Sequence, residues 1–195
     1  LLLMPASRPQ ELKYILPTFL KTAKKLQLRY PSLIVYIPSC RRAFDEKFRK
    51  GLEKYGIKGK VISQQNDYEL IPYIYSLTKL ALCKSGTVNM ELALHGIPQI
   101  IGYRVSRVTA FIAKRILNFK VRFISPVNLL MKKFIIPEFV QKNFNEKKIY
   151  DKACRILDLT SEKAKIKKGY KFLKEELGEE GVVDRAAKEI INSII

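Results

Sequence analysis

Leu12, Ile15, Leu16, Phe19, Leu20, Ala23 and Leu26 recur at the spacing of a helix that buries one face, while Lys13, Lys21, Lys24 and Lys25 fall elsewhere on the wheel. Before this pattern stands an unbroken apolar run, Leu1-Leu2-Leu3, which reads as a buried strand. The alternation continues. "SLIVYIP" (32–38) predicts a strand, residues 41–54 a helix ended by Gly56, and "KGKVIS" (58–63) another strand. "YELIPYIYSL" (68–77) suits a short helix with a proline near its middle, and "KLALCKSG" (79–86) a strand running into a glycine turn. "TVNMELALHG" (87–96) predicts a helix closed by Gly96, and "IPQIIGYR" (97–104) a further strand. Each strand is nearly continuously apolar and the links are short. This predicts an α/β fold, with a parallel, doubly wound, Rossmann-like sheet. From residue 145 the pattern is helical only and ends in the stripe Val183, Ala186, Ala187, Ile190, Ile191 and Ile194. The expected organisation is an α/β domain over 1–144. C-terminal helices over 145–195 would pack on it or cross to an N-terminal domain missing from this chain.

The 195 residues suffice for one domain with a sizeable core. The chain opens inside an apolar run, without an initiator Met or the basic start of a signal peptide, and reads as a fragment cut at or within a strand. No uncharged apolar run reaches the roughly 18 residues of a membrane span. Lys and Arg number 37 against 18 Asp and Glu, a net charge of +19. That excess favours a polyanionic partner (nucleic acid, a membrane surface or a phosphorylated substrate) without choosing among them. Cys40, Cys83 and Cys154 stand far apart, form no metal-type pair and cannot all be disulfide-bonded, which points to a reducing cytoplasm. His95 is the single histidine, so a His-rich zinc site is excluded and a Ser-His-Asp triad is disfavoured.

Two turns offer chemistry. In "MPASRPQEL" (4–12) a tight turn puts Ser7 and Arg8 at the mouth of a helix, where unpaired backbone N–H groups suit an anion. Ser7 could equally be a plain helix cap. In "KSGTVNMEL" (84–92) a strand passes through Ser85, Gly86 and Thr87 into a helix, and Gly86 lets a ligand approach the backbone closely. Glu91 lies about one helical turn beyond Thr87, placed to accept hydrogen bonds from a diol such as a ribose. The plain alternative is a capped helix with a solvated carboxylate. Neither a Walker loop nor a GxGxxG motif is present. The carboxyl ends of the strands in an open α/β sheet face one crevice, so both turns should open on the same side. An arginine, two helix starts and a carboxylate suit a nucleoside diphosphate.

"LLLMPASRPQEL", "ALCKSGTVNMELAL", "IPQIIGYRV", "SPVNLL" and "IIPEFVQ" occur in the order and approximate spacing of the C-terminal half of lipid-A-disaccharide synthases. The chain resembles that family over residues 1–141 by motif and in its helical tail by position. The resemblance implies the GT-B glycosyltransferase fold. It implies transfer of a diacylated glucosamine from its UDP donor to an acylated glucosamine phosphate, giving a β-1,6 disaccharide and UDP. Ser7 and Arg8 would bind the diphosphate, Ser85, Gly86 and Thr87 would cradle phosphate, and Glu91 would hold the ribose. Tyr103 and Arg104 would line the cleft, and Asn128, Glu138 and Gln141 would face the donor sugar or the interdomain gap. No cofactor or metal is implied, since positive side chains and helix ends would stabilise the leaving diphosphate. The acceptor site and general base would lie outside this chain, which alone should not turn over. Ala6 stands where the family usually has glycine, and would be strained if that position needs a positive φ. Pro126-Val127-Asn128 replaces the family's common Leu-Pro-Asn.

Between Glu91 and Glu138 there is no acidic residue, while Arg104, Arg107, Lys114, Arg115, Lys120, Arg122, Lys132 and Lys133 interleave with Phe111, Ile112, Ile116, Phe119 and Phe123. A basic amphipathic segment reads as an anionic membrane surface contact, or as a core helix with a solvated basic face. With an acylated substrate, the expected location is cytoplasmic, peripheral on the inner face of the membrane. Two rivals remain: another GT-B UDP-sugar enzyme (the peptidoglycan glucosaminyltransferase or a UDP-sugar 2-epimerase), and a basic nucleic-acid-binding module. The first rival wants a glycine-rich donor loop or more histidine chemistry than His95 offers. Against the second, no recognition motif is present, and no nucleic acid partner is expected.

Overall fold

Pro9, with its preset φ, opens the helix α1 (Pro9–Arg29) just after the short strand β1 (Leu2–Met4). The structure, a computed structural model, describes residues 1–63, 67–106, 122–179 and 181–194. Strand and helix then alternate as the apolar pattern predicts. β2 (Val35–Ser39), α2 (Arg42–Lys54) and β3 (Gly59–Ser63) follow, then a 3-10 turn (Tyr68–Leu70) leading into α3 (Ile71–Leu77). Next come β4 (Ala81–Cys83), α4 (Val88–Leu94) and β5 (Gln99–Tyr103). The chain continues with α5 (Pro126–Met131), β6 (Glu138–Val140), a 3-10 turn (Gln141–Asn143), α6 (Glu146–Asp158), α7 (Thr160–Leu177) and α8 (Val182–Ile194). Gly56 and Gly96 adopt positive φ, +55° and +68°, which lets the chain leave α2 and α4 as the sequence predicts.

Among the described residues six strands form one parallel sheet in the order β3-β2-β1-β4-β5-β6. The chain builds outward from β1 to β3, then returns to add β4 on the other side of β1. That reversal makes β1 and β4 the switch point of a doubly wound sheet.

All seven residues of the predicted α1 stripe are buried. Phe19 meets Phe144 edge-on, ring centroids 5.5 Å apart, and both rings press against Gly102 of β5, where a Cβ would overlap them. α6 packs on α1 and buries Ile149, Ala153 and Ile156, while α7 buries Ile166, Tyr170 and Leu173. Burying a side chain of this size stabilises by roughly 1.5–3 kcal/mol. α8 differs. Its stripe is as regular, yet Val183 is 75% and Ile190 60% exposed, and Ala186, Ala187 and Ile191 are exposed too.

Ala6 is not among the non-glycine residues with positive φ, which in the described chain are Lys132 and Gln141. The strain expected at Ala6 is therefore absent, because the turn reaches α1 without a left-handed residue there. The cysteines are free, with Cys40 exposed and Cys83 buried. No helix among the described residues is long and apolar enough to cross a membrane. Of the basic segment, Arg107, Phe111, Ile112, Lys114, Arg115, Ile116, Phe119 and Lys120 lie outside the described residues.

Candidate functional site

Met4 and Cys83 sit opposite each other at the carboxyl ends of β1 and β4. The Lys84 N–H donates to the Met4 carbonyl at 3.0 Å, so the 5–8 and 84–87 turns leave the sheet side by side. A cavity of about 480 Å³ opens there, a size suited to a small-molecule ligand. Ser7, Gly86, Thr87 and Glu91 line it, together with Lys84 and Tyr75. Pro38, Ile62, Ile71 and Val88 supply an apolar part of its wall.

The two turns are built differently. The N-cap of α1 is Arg8, with extended backbone and no side-chain cap bond, so Ser7 does not cap the helix. Arg8 is exposed at the helix mouth and does not line the cavity. The 84–87 turn is held from beneath by Asn89, which is fully buried. Asn89 Oδ1 accepts from the Gly86 N–H at 2.9 Å, and Asn89 Nδ2 donates to the Lys84 carbonyl at 3.0 Å and to Cys83 Sγ at 3.4 Å. Gln99 Nε2 donates to the Asn89 carbonyl at 2.9 Å and to the Tyr170 hydroxyl at 3.1 Å, and that hydroxyl donates to the Ile97 carbonyl at 3.0 Å. Burial pushes the Cys83 thiol and the Tyr170 hydroxyl well above their ordinary pKa values. Both stay protonated, which makes Cys83 a poor nucleophile and keeps Tyr170 a donor.

Glu91, exposed at the rim, accepts from the buried Tyr75 hydroxyl at 3.1 Å. Tyr75 in turn packs edge-on against His95. The remaining predicted residues gather next door. The Ser85 hydroxyl donates to the Ile124 carbonyl. Glu138, the first residue of β6, accepts from Ile124 N and Ser125 N at 2.9 Å each, from the Ser125 hydroxyl at 2.6 Å and from Asn128 Nδ2 at 2.7 Å. Asn128 is fully buried, and its Oδ1 accepts from Ile135 N and Ile136 N at 2.8 and 3.0 Å. Ser85, Asn128 and Glu138 thus form a brace that ties the 84–87 turn to the segment entering α5. At the end of β5, Tyr103 pairs with Val140 and is half-buried. The Arg104 guanidinium donates to the Gln141 and Phe144 carbonyls and lies 5.3 Å from the Phe144 ring centroid. Gln141 has a left-handed backbone, φ 52°. Such a conformation in a non-glycine residue costs free energy and is often kept at functional sites.

The profile of the lipid-A-disaccharide synthetase family matches residues 1–194. The chain belongs to this family. A lipid-A-disaccharide synthase of Prochlorococcus marinus (strain MIT 9313) is 46% identical over 98% of this chain and 49% of its own length. The Gloeothece citriformis (strain PCC 7424) synthase is 36% identical over 98% of this chain and 49% of its own length. That of Synechocystis sp. (strain ATCC 27184 / PCC 6803 / Kazusa) is 35% identical over 97% and 47%. The chain spans about half the length of these relatives.

Motif reading missed Lys84, Glu11, Asn89 and Gln99. Asn89 carried a signal: asparagine side chains readily bond nearby backbone N–H groups, and it follows the glycine turn by three residues. Lys84 and Glu11 meet only through the pairing of β1 with β4, which no local pattern states.

Proposed function

We propose that this chain is the donor-binding half of a lipid-A-disaccharide synthase, a hexosyltransferase of lipid A biosynthesis. The donor would be a UDP-linked diacylglucosamine and the acceptor an acylated glucosamine phosphate. The acceptor's hydroxyl oxygen forms the new bond to the donor's anomeric carbon, its proton passes to a base, and the bond to the diphosphate breaks to release UDP. The observation that carries this reading is the meeting of the 5–8 and 84–87 turns at the switch point, over one cavity, in a chain of this family.

In this reading the diphosphate lies at the start of α1, where N–H groups and the Arg8 guanidinium oppose its charge. Glu91, already positioned by Tyr75, accepts from the ribose diol. The anionic leaving group is stabilised by these fixed donors without a metal ion. The acceptor site and the general base belong to an N-terminal domain outside this chain. Calorimetry with UDP is the test. Binding is expected, and it is expected to survive EDTA; no binding, or binding abolished by the chelator, would overturn the reading.

The acid-free stretch 92–137 carries the proposed contact with an anionic membrane. Each base near such a surface contributes about 1 kcal/mol at low salt. Co-sedimentation with liposomes should rise with anionic lipid and fall with salt. Equal binding to neutral liposomes would return the stretch to a core helix with a solvated face.

A further inference from the structure

We propose that Lys84 contacts the diphosphate and that Glu11 is a resident counter-ion which Lys84 releases when the diphosphate binds. The inference rests on the UDP reading above. Lys84 follows β4, and Glu11 lies in the first turn of α1. The two come together across the switch point, with Lys84 Nζ 3.0 Å from Glu11 Oε2 and 3.2 Å from Oε1. Their side chains are only 17% and 13% exposed. Among the described residues that line the cavity, Lys84 is the one cation. Its Cε lies 3.7 Å from where a Cβ on Gly86 would stand, so the stem runs along the glycine turn.

Three physical points make this pair an exchange site. Taking both charges out of water costs more than an ordinary salt bridge returns, so the pair is weak evidence for stability by itself. Glu11 Oε2 is buried and accepts no well-formed hydrogen bond among the described residues, with the Lys84 ammonium 3.0 Å away as its ion-pair partner. A carboxylate in the first turn of a helix occupies a position that favours any anion. A diphosphate carries more charge and more acceptor oxygens than one carboxylate. It therefore competes for the Lys84 ammonium, which carries three donors and, among the described residues, gives one hydrogen bond to Glu11 Oε1. Arg8 sits outside the cavity at the helix mouth, so Lys84 would meet the inner face of the diphosphate and Arg8 the outer.

The test is calorimetry of UDP and of uridine, which lacks phosphate, against the 195-residue chain and its Lys84→Met and Glu11→Gln variants. Lys84→Met should weaken UDP by about tenfold, the loss expected for one charge-assisted contact, and leave uridine unchanged. Glu11→Gln should tighten UDP severalfold, because a competing anion is gone, and leave uridine unchanged. Lys84→Met binding UDP like the wild type would overturn the inference. So would Glu11→Gln weakening UDP, or UDP and uridine weakening together in either variant, since a purely structural pair does that. If Lys84→Met does not fold, the Glu11→Gln result decides alone. A wild-type chain that binds neither ligand overturns the UDP reading itself, a result distinct from all of these.

Discussion

The turn after β1 and the turn after β4 leave the sheet from paired residues, yet they are held in opposite ways. The first is held by backbone geometry. Pro9 presets the helix start, Leu12 N–H reaches the Arg8 carbonyl at 3.3 Å, and no side chain caps the helix. The second rests on a buried polar cluster, Asn89, Gln99 and Tyr170, in which each member holds the next. A turn of the first kind keeps its side chains available to a ligand, and changes there should reach binding without reaching stability. In a turn of the second kind the buried cluster both shapes the turn and holds the fold, so a change within that cluster should reach binding and stability together.

The largest expected effect is at Asn89. Asn89→Ala strands the Gly86 N–H and the Lys84 carbonyl beneath the turn, each costing about 1–3 kcal/mol when left without a partner. Urea unfolding should show a loss of about 3 kcal/mol, and UDP binding should fall with it. An unfolding midpoint like the wild type's would remove the contrast between the turns. Next comes Arg8→Ala, expected to weaken UDP by about 1.5–3 kcal/mol, the range for a hydrogen bond to a charged group. Its unfolding free energy should stay within about 0.5 kcal/mol, because Arg8 is exposed. Equal UDP affinity in this variant would show that the β1 turn does not touch the ligand.

The smallest effect sharpens the comparison inside the second turn. Gly86 does not adopt a positive φ, and a Cβ there would stand 3.7 Å from Lys84 Cε, an ordinary contact. Gly86→Ala should therefore leave stability unchanged or raise it by up to about 1 kcal/mol, through lost freedom of the unfolded chain. Under the proposed UDP reading the same methyl would stand where a phosphate approaches the backbone, so UDP should weaken, by less than in Arg8→Ala. A large loss of stability would mean that the turn is shaped by its glycine and not by Asn89.

Much of the site was legible because it is local. A strand, a short turn and a helix can be read from consecutive residues, so Ser7, Gly86, Thr87 and Glu91 could be placed on one cavity before any fold was known. The brace was harder to read. Asn128 and Glu138 were expected to face the donor sugar or the interdomain gap, and the structure shows their polar atoms bonded to one another and to backbone at 124–136. A motif marks residue types, and it does not say whether a carboxylate bonds to a ligand or to a neighbouring amide.

The sequence by itself determined the order and kind of the elements from β1 to β5, the helical tail after residue 145, the parallel sheet and the glycine helix ends, while α5 and β6 had no such signal. These follow from apolar period and backbone preference, which act over a few residues. Only the tertiary structure decided which ends meet. Residue pairs 71 to 73 positions apart come together: Glu11 meets Lys84 because β4 returns to the free side of β1, and Gln99 and Ile97 meet Tyr170 because α7 packs against α4 beside β5. The helical tail shows the same limit from the other side. α7 and α8 both carry apolar residues at helical spacing, but α7 buries Ile166, Tyr170 and Leu173 while Val183, Ile190 and Ile191 of α8 stay exposed. Periodicity states that a helix has an apolar face; burial depends on a second surface, and that surface is a property of the folded chain.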